Sequence, residues 1–225
     1  MKTCLMALAL GAGLALAAPA AAPAAETVAP YALLFREGTL DALPHDRALI
    51  YQRQVTLPAD EDFALRQSGA LRLAFAEEAE DEVRLGFGPD AQSTHVVGSF
   101  PASVGNPLIM YHMETVVRDM AQITGGSQFY IRNRMKDALS RPAEVEDVTV
   151  EGAEGPVAAR QVVFRPFEGD ANAARMQGFG GLEIRAVMSA EIPGWYRSLS
   201  AEVPDGKGGI AYSSEIVFEA AEAAP

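Results

Sequence analysis

The chain has a single cysteine, Cys4, among its 225 residues, and it lies before an apolar leader. Once that leader is removed no thiol remains, which excludes a disulfide framework, a cysteine nucleophile and any thiolate metal site. A domain of about 200 residues buries enough apolar surface to stand without cross-links. Histidine is nearly as scarce, with three in all: His45, His95 and His112. The zinc motif H-E-x-x-H is absent, and His112-Met113-Glu114 has the H-x-E form of zinc deaminases without the paired cysteines that complete it. Neither a G-x-S-x-G elbow nor a phosphate-binding G-x-x-x-x-G-K-[ST] occurs; Gly178-Phe179-Gly180-Gly181 is a glycine-rich loop with no lysine after it. Asp170 and Asn172 begin like a calcium loop, but the closing glutamate is missing from its place. The residues therefore assign no catalytic group, metal or cofactor, and lean away from an enzyme.

Basic charge is also in deficit. Eighteen Lys and Arg stand against thirty Asp and Glu, a formal net charge of −12. Such a surface favours solubility and argues against nucleic acid or an anionic membrane as the main partner. Apart from the leader, no apolar run approaches the roughly 20 residues that a bilayer-crossing helix needs.

What the sequence does contain begins with that leader. Lys2 precedes the apolar run 5–17, and small residues then accumulate around Ala18-Pro19-Ala20 and Ala22-Pro23-Ala24-Ala25. This predicts a cleavable secretory signal over residues 1–25, cut near Ala20 or Ala25. Residues 26–225 are then one soluble periplasmic domain. With Lys2 removed, 17 basic residues face 30 acidic ones, or −13.

From residue 33 to 100 the text is strand-like. Residues 48–57 place Leu49, Tyr51, Arg53, Val55 and Leu57 on one face, which is the expected core side, and Ile50, Gln52, Gln54 and Thr56 on the other. Pro58 and Asp60-Glu61-Asp62 close that strand. Leu71, Leu73 and Phe75 alternate in the next, and Val83, Leu85 and Phe87 in the one after. This is the pattern of an antiparallel meander with one wet face.

The middle changes period. Asn106 is a candidate N-cap and Pro107 a first helical residue; Ile109, Met113, Val116, Met120 and Ile123 then recur at spacings of four and three. Glu114, Arg118, Asp119 and Gln122 fall off this stripe. Gly125-Gly126 stops the helix, and Ser127 caps a second one running towards Ser140. A helical hairpin over about residues 107–141 follows. Period-two text returns in 145–150, 157–167, 182–188, 196–203 and 210–218, with residues 169–181 as the longest loop. The expected fold class is α+β: a curved, half-barrel-like antiparallel sheet packed on a central two-helix hairpin.

This element order resembles the periplasmic lipoprotein-carrier and related lipid-binding folds, in which a half-barrel clasps helices around an apolar cavity. The text Gly105-Asn106-Pro107, Thr124-Gly125-Gly126 and Tyr130-Ile131-Arg132-Asn133-Arg134 is similar to a family of exported alphaproteobacterial proteins of unknown function. Neither likeness implies a catalytic residue. The first implies an apolar cavity between sheet and hairpin.

Two features carry the functional expectation. Met110, Met113 and Met120 gather on the first helix, with Met135 on the second; core packing between hairpin and sheet is the commoner role of such a stripe, while thioether surfaces also adapt to varied apolar ligands. Arg132, Arg134, Lys136 and Arg141 form the one basic cluster; Arg132 and Lys136, four apart, are expected to project together beside Asn133, either pairing with the chain's own abundant Asp and Glu or forming an anion-receiving face. The expected ligand-binding residues are accordingly Met110, Met113, Met120, Arg132 and Lys136. His112 reads as a satisfied, partly buried histidine, two helical turns from Asp119 and out of its reach. The leading reading is a non-enzymatic periplasmic binding or carrier module for an apolar or amphiphilic small molecule. An envelope structural or protein-interaction domain comes second, and a hydrolase with an unrecognised site third.

Overall fold

The computed structural model describes residues 26–224. The leader 1–25, and with it the expected export signal, lies outside them. Strands β1 (Glu26–Val28), β2 (Arg47–Thr56), β3 (Gly69–Ala76), β4 (Ala79–Gly88) and β5 (His95–Pro101) precede the helical hairpin. Strands β6 (Ala143–Gly152), β7 (Gly155–Phe164), β8 (Glu183–Met188), β9 (Tyr196–Pro204) and β10 (Ile210–Ala223) follow it. All ten join one antiparallel sheet in the order β1-β6-β7-β8-β9-β10-β2-β3-β4-β5. The chain thus lays down one meander, crosses through the hairpin and lays down a second. Its last strand then docks on the first long strand of the first meander, from Ser213 opposite Thr56 to Ala223 opposite Arg47. A register shift between Phe218 and Ala220 interrupts that pairing, and such bulges bend a sheet. The sheet is curved and not closed, with β1 and β5 as its edges.

Helix α3 (Leu108–Thr124) lies against the inner face, and Ile109, Met113, Val116 and Met120 are buried as their spacing requires. Asn106 sets its start. Its Oδ1 accepts the Leu108 N–H at 3.0 Å, and its Nδ2 donates to the Tyr51 hydroxyl at 2.9 Å and to the Gly194 carbonyl at 2.8 Å. One side chain both caps the helix and ties it to the sheet. Gly194 has φ +73°, and a Cβ there would collide with Leu49 and crowd Asn106 and Tyr51. Gly125 ends α3 in the left-handed conformation at φ 70°, as a C-terminal glycine does. Ser127 then caps α4 (Gln128–Leu139), accepting the Tyr130 N–H at 3.5 Å. The fold is the α+β arrangement expected: a curved antiparallel sheet on a two-helix hairpin.

Two short helices interrupt the region read as strands. The Asp60-Glu61-Asp62 cluster does close β2, but it also opens α2 (Glu61–Gln67), with the Asp60 side chain accepting the Phe63 N–H at 2.9 Å. Helix α1 (Tyr31–Leu34) has no side-chain cap and is held from outside its own sequence. The β2 pattern is correct on its core side, where Leu49, Tyr51, Arg53, Val55 and Leu57 are all buried. On the outer side Ile50 is also buried, in a small cluster with Ala48 and Ala74 that Ala91 covers. The long loop between β7 and β8 is not a loose excursion, since Phe167, Met176 and Phe179 drop from it into the core.

Candidate functional site

Helical spacing builds the site. On α3, Met110, Met113, Glu114 and Val117 stand at i, i+3, i+4 and i+7; on α4, Arg132, Met135, Lys136 and Leu139 repeat the same spacing. These two ridges face one groove, and Tyr31 and Phe35 form its third wall. The groove encloses about 600 Å³. The Tyr31 and Phe35 rings stack with centroids 4.9 Å apart. Their segment is pinned to the sheet by two aromatic donors: Trp195 Nε1 gives a hydrogen bond to the Leu33 carbonyl at 3.0 Å, and the Tyr196 hydroxyl gives one to the Leu34 carbonyl. Arg36 lies over the Trp195 ring at 4.5 Å. The third wall is therefore fixed by long-range contacts, although α1 has only four residues.

Four of the five expected binding residues meet here: Met110, Met113, Arg132 and Lys136. Met113 and Met135 form the floor, while Met110 is 39 % exposed and Tyr31 58 % exposed. Met120 is placed elsewhere. It is buried, and its side chain borders a smaller hollow at the hairpin turn, with Tyr130 and Met176.

The basic cluster does not behave as one face. Arg132 grips Glu114 bidentately, Nη2 to Oε1 at 2.8 Å and Nε to Oε2 at 3.1 Å, so its charge is matched within the protein. Arg134 turns to Asp170 at 2.8 Å, and Arg141 donates to the Pro166 carbonyl at 2.9 Å. Tyr130 and the Asn172 N–H hold the Asp170 carboxyl below its ordinary range, with Arg134 adding to the effect. Lys136 is exposed, makes no ion pair or hydrogen bond among the described residues, and stands at the groove rim. For Arg132 the alternative of pairing within the protein holds: an acidic chain supplies its own partner one helix away.

The space between hairpin and sheet, where the lipid-carrier likeness implies a cavity, holds a polar centre. Arg53, 1 % exposed, gives hydrogen bonds from Nη2 to Asp119 Oδ2 at 2.9 Å, from Nη1 to the Gln67 carbonyl at 2.9 Å and from Nε to Ser214 Oγ at 3.4 Å. Tyr212 donates to the same Asp119 oxygen at 2.8 Å. Burial raises the Asp119 pKa, with Arg53 and then Tyr212 opposing it, and burial pushes Tyr212 up as well. Asp119 was expected off the buried stripe, and its burial is a correction: only a cation from another element, Arg53, makes it tolerable there. The one hint in the sequence was an arginine on the core side of an otherwise apolar strand face.

His112 corrects its expectation too. It is wholly buried, and neither ring nitrogen makes a hydrogen bond of good geometry, although the Ser200 backbone lies within interaction range. Burial first, and the Arg53 charge second, push its pKa down to about 3, with the Ser200 backbone acting the other way. The imidazole is therefore neutral. Among the described residues no three His, Cys, Asp or Glu side chains converge as metal ligands would, and no helix is long and apolar enough to cross a membrane.

No family model and no curated protein matches the chain. Among solved structures it has a faint likeness to the dehydratase domain from the CurK module of curacin polyketide synthase. The two are 11 % identical, 83 % of this chain and 78 % of that one are covered, and the TM-score is 0.16. A superposition that loose carries no argument about fold or activity.

Proposed function

We propose that the protein is a non-enzymatic binding or carrier module that takes an apolar or amphiphilic small molecule into the groove between α1, α3 and α4. We further propose that it works as an exported periplasmic domain once residues 1–25 are removed. One observation carries the ligand reading: an open, largely apolar groove of about 600 Å³ with an unpaired cation, Lys136, on its rim. Small-molecule sites typically enclose about 300–1,000 Å³, lined by apolar side chains with a few polar groups that set orientation. Three methionines lend the groove an adaptable surface, and the pinned Tyr31–Phe35 stack gives it a stiff wall. The chain end of an amphiphile lies along Met110, Met113 and Met135, and its head reaches Lys136. The element-order likeness to lipid-binding half-barrels points the same way, although the groove lies outside the hairpin and not beneath it.

Calorimetric titration with laurate and with lauryl maltoside tests this. Wild-type protein should bind both; Met110→Glu, at an exposed position, should lose both, and Lys136→Glu should weaken laurate while leaving the maltoside unchanged. Failure of wild type to bind either compound overturns the reading.

A second reading, an envelope protein-interaction domain, draws on Phe129, which stands 78 % exposed at the start of α4 with Arg132 6.0 Å from its ring. Loss of a native partner in Phe129→Ala, with laurate binding intact, would favour it.

A further inference from the structure

The outer face of the sheet carries a second hollow, remote from the groove. Over β3 and β4 a concavity of about 480 Å³ has Ala74 and Gly86 as its floor, Arg72 and Arg84 beside them, and His45 and Thr94 on its walls. The pairing register explains the space. Arg72 stands opposite Gly86 and Ala74 opposite Arg84, so each arginine faces a residue with almost no side chain. A Cβ on Gly86 would meet the Thr94 hydroxyl at 2.7 Å and fill the floor.

The two arginines differ in what they hold. Arg84 pairs with Glu78 at 2.7 Å and Glu82 at 3.8 Å. Arg72 is half-buried and makes no ion pair, hydrogen bond or ring contact. Among the described residues every other arginine that is not fully exposed has such a partner, as Arg53, Arg132, Arg134 and Arg165 show. Partial desolvation of a charge is unfavourable unless something offsets it. In a chain of net charge −12, carboxylates to fill that role are abundant, yet among the described residues none pairs with Arg72. On the wall, His45 stacks on Phe75 with centroids 4.0 Å apart and planes 17° apart, a flat ring pair at the edge of the hollow. Asp46 and Glu77 also border it, both exposed, and their charge favours a singly charged anion over a polyanion.

We propose that this concavity is a second ligand site, in which the Arg72 guanidinium receives the carboxylate of a small organic acid and the His45–Phe75 stack takes its flat body. A guanidinium fork matches a carboxylate bidentately, and a planar substituent on the acid lies against the ring pair.

Benzoate, acetate and inorganic phosphate are the probes, added to full-length protein and followed through arginine side-chain resonances and thermal unfolding. Benzoate should bind saturably and more tightly than acetate or phosphate. Arg72→Gln should weaken benzoate at least tenfold and, without ligand, unfold at the same or a higher temperature because the unpaired cation is gone. Arg72→Lys keeps the charge but not the fork and should also lose most of the affinity, which covers a glutamine variant that fails to fold. His45→Ala should remove the preference for benzoate over acetate. Unaltered benzoate affinity in both Arg72 variants overturns the proposal. So does tighter binding of phosphate, or no saturation at about 10 mM, where a millimolar site would be mostly filled.

Discussion

Asp119→Leu probes the polar centre that holds hairpin and sheet together. The carboxylate is 4 % exposed and accepts from Arg53 at 2.9 Å and from Tyr212 at 2.8 Å. Leucine in its place leaves a guanidinium that is 1 % exposed with only the Gln67 and Ser214 oxygens, and a Tyr212 hydroxyl with no acceptor there. Breaking a buried pair from one side typically costs about 3–5 kcal/mol, because an uncompensated charge stays behind. A domain of this size has only about 5–15 kcal/mol in total, so the variant should sit close to unfolding at room temperature. Arg53→Met should lose a comparable amount. The double variant should lose far less than the two together, because both charges leave at once, giving a coupling energy of about 2 kcal/mol or more. Urea unfolding followed by far-ultraviolet circular dichroism and by the fluorescence of Trp195 measures all four proteins. A single-variant loss under about 1 kcal/mol, or strict additivity in the double, refutes a buried, coupled pair.

Three further outcomes are expected. The buried His112 has a pKa lowered from 6.5 to about 3, so its contribution to stability is complete above pH 6.5 and is lost as pH falls through about 3, a change on the order of 5 kcal/mol. Asp119, whose pKa is raised, contributes with the opposite sign, losing stability as pH rises through its folded value; the check is therefore the wild-type acid limb compared with that of His112→Leu, and identical limbs would disprove the burial account. Met120→Asp buries a carboxylate without a partner where Met120 is 1 % exposed and should cost about 3–5 kcal/mol in a urea titration; an unchanged midpoint would contradict its packing. Intact mass of the native protein should place its N-terminus between Ala18 and Thr27 with no lipid adduct, and an uncleaved chain in the membrane fraction would end the exported-domain reading.

Most of the fold was legible before any coordinates. The period-two text of β2, β3 and β4, the Ser127 cap and the Gly125 stop all reappear where the residues placed them, because each depends on local geometry and on one buried face. Helix α1 was not legible: four residues with no side-chain cap are helical only because Trp195 and Tyr196, more than 150 positions away, hold their carbonyls. Helix α2 was hidden for another reason, since a Pro and acidic cluster signals the end of a strand and the start of a helix alike. Of the groove, the helical spacing of Met110, Met113, Met135 and Lys136 was readable on each helix, whereas Met120, also on α3, lies elsewhere. That they share a groove was not, because two helical ridges meet only when the turn at 125–127 sets their crossing.

The sequence alone determined which segments alternate, which recur at helical spacing, and therefore the α+β class with a hairpin between two meanders. Burial patterns of this kind are properties of single elements. Tertiary structure decided the charges. Arg132 finds Glu114 one helix away, Arg53 finds Asp119 across 66 positions, and among the described residues Lys136 and Arg72 form no ion pair. Local spacing does account for some pairs, as between Arg185 and Glu183, but the long-range ones depend on what the fold brings within a few ångströms of each charge.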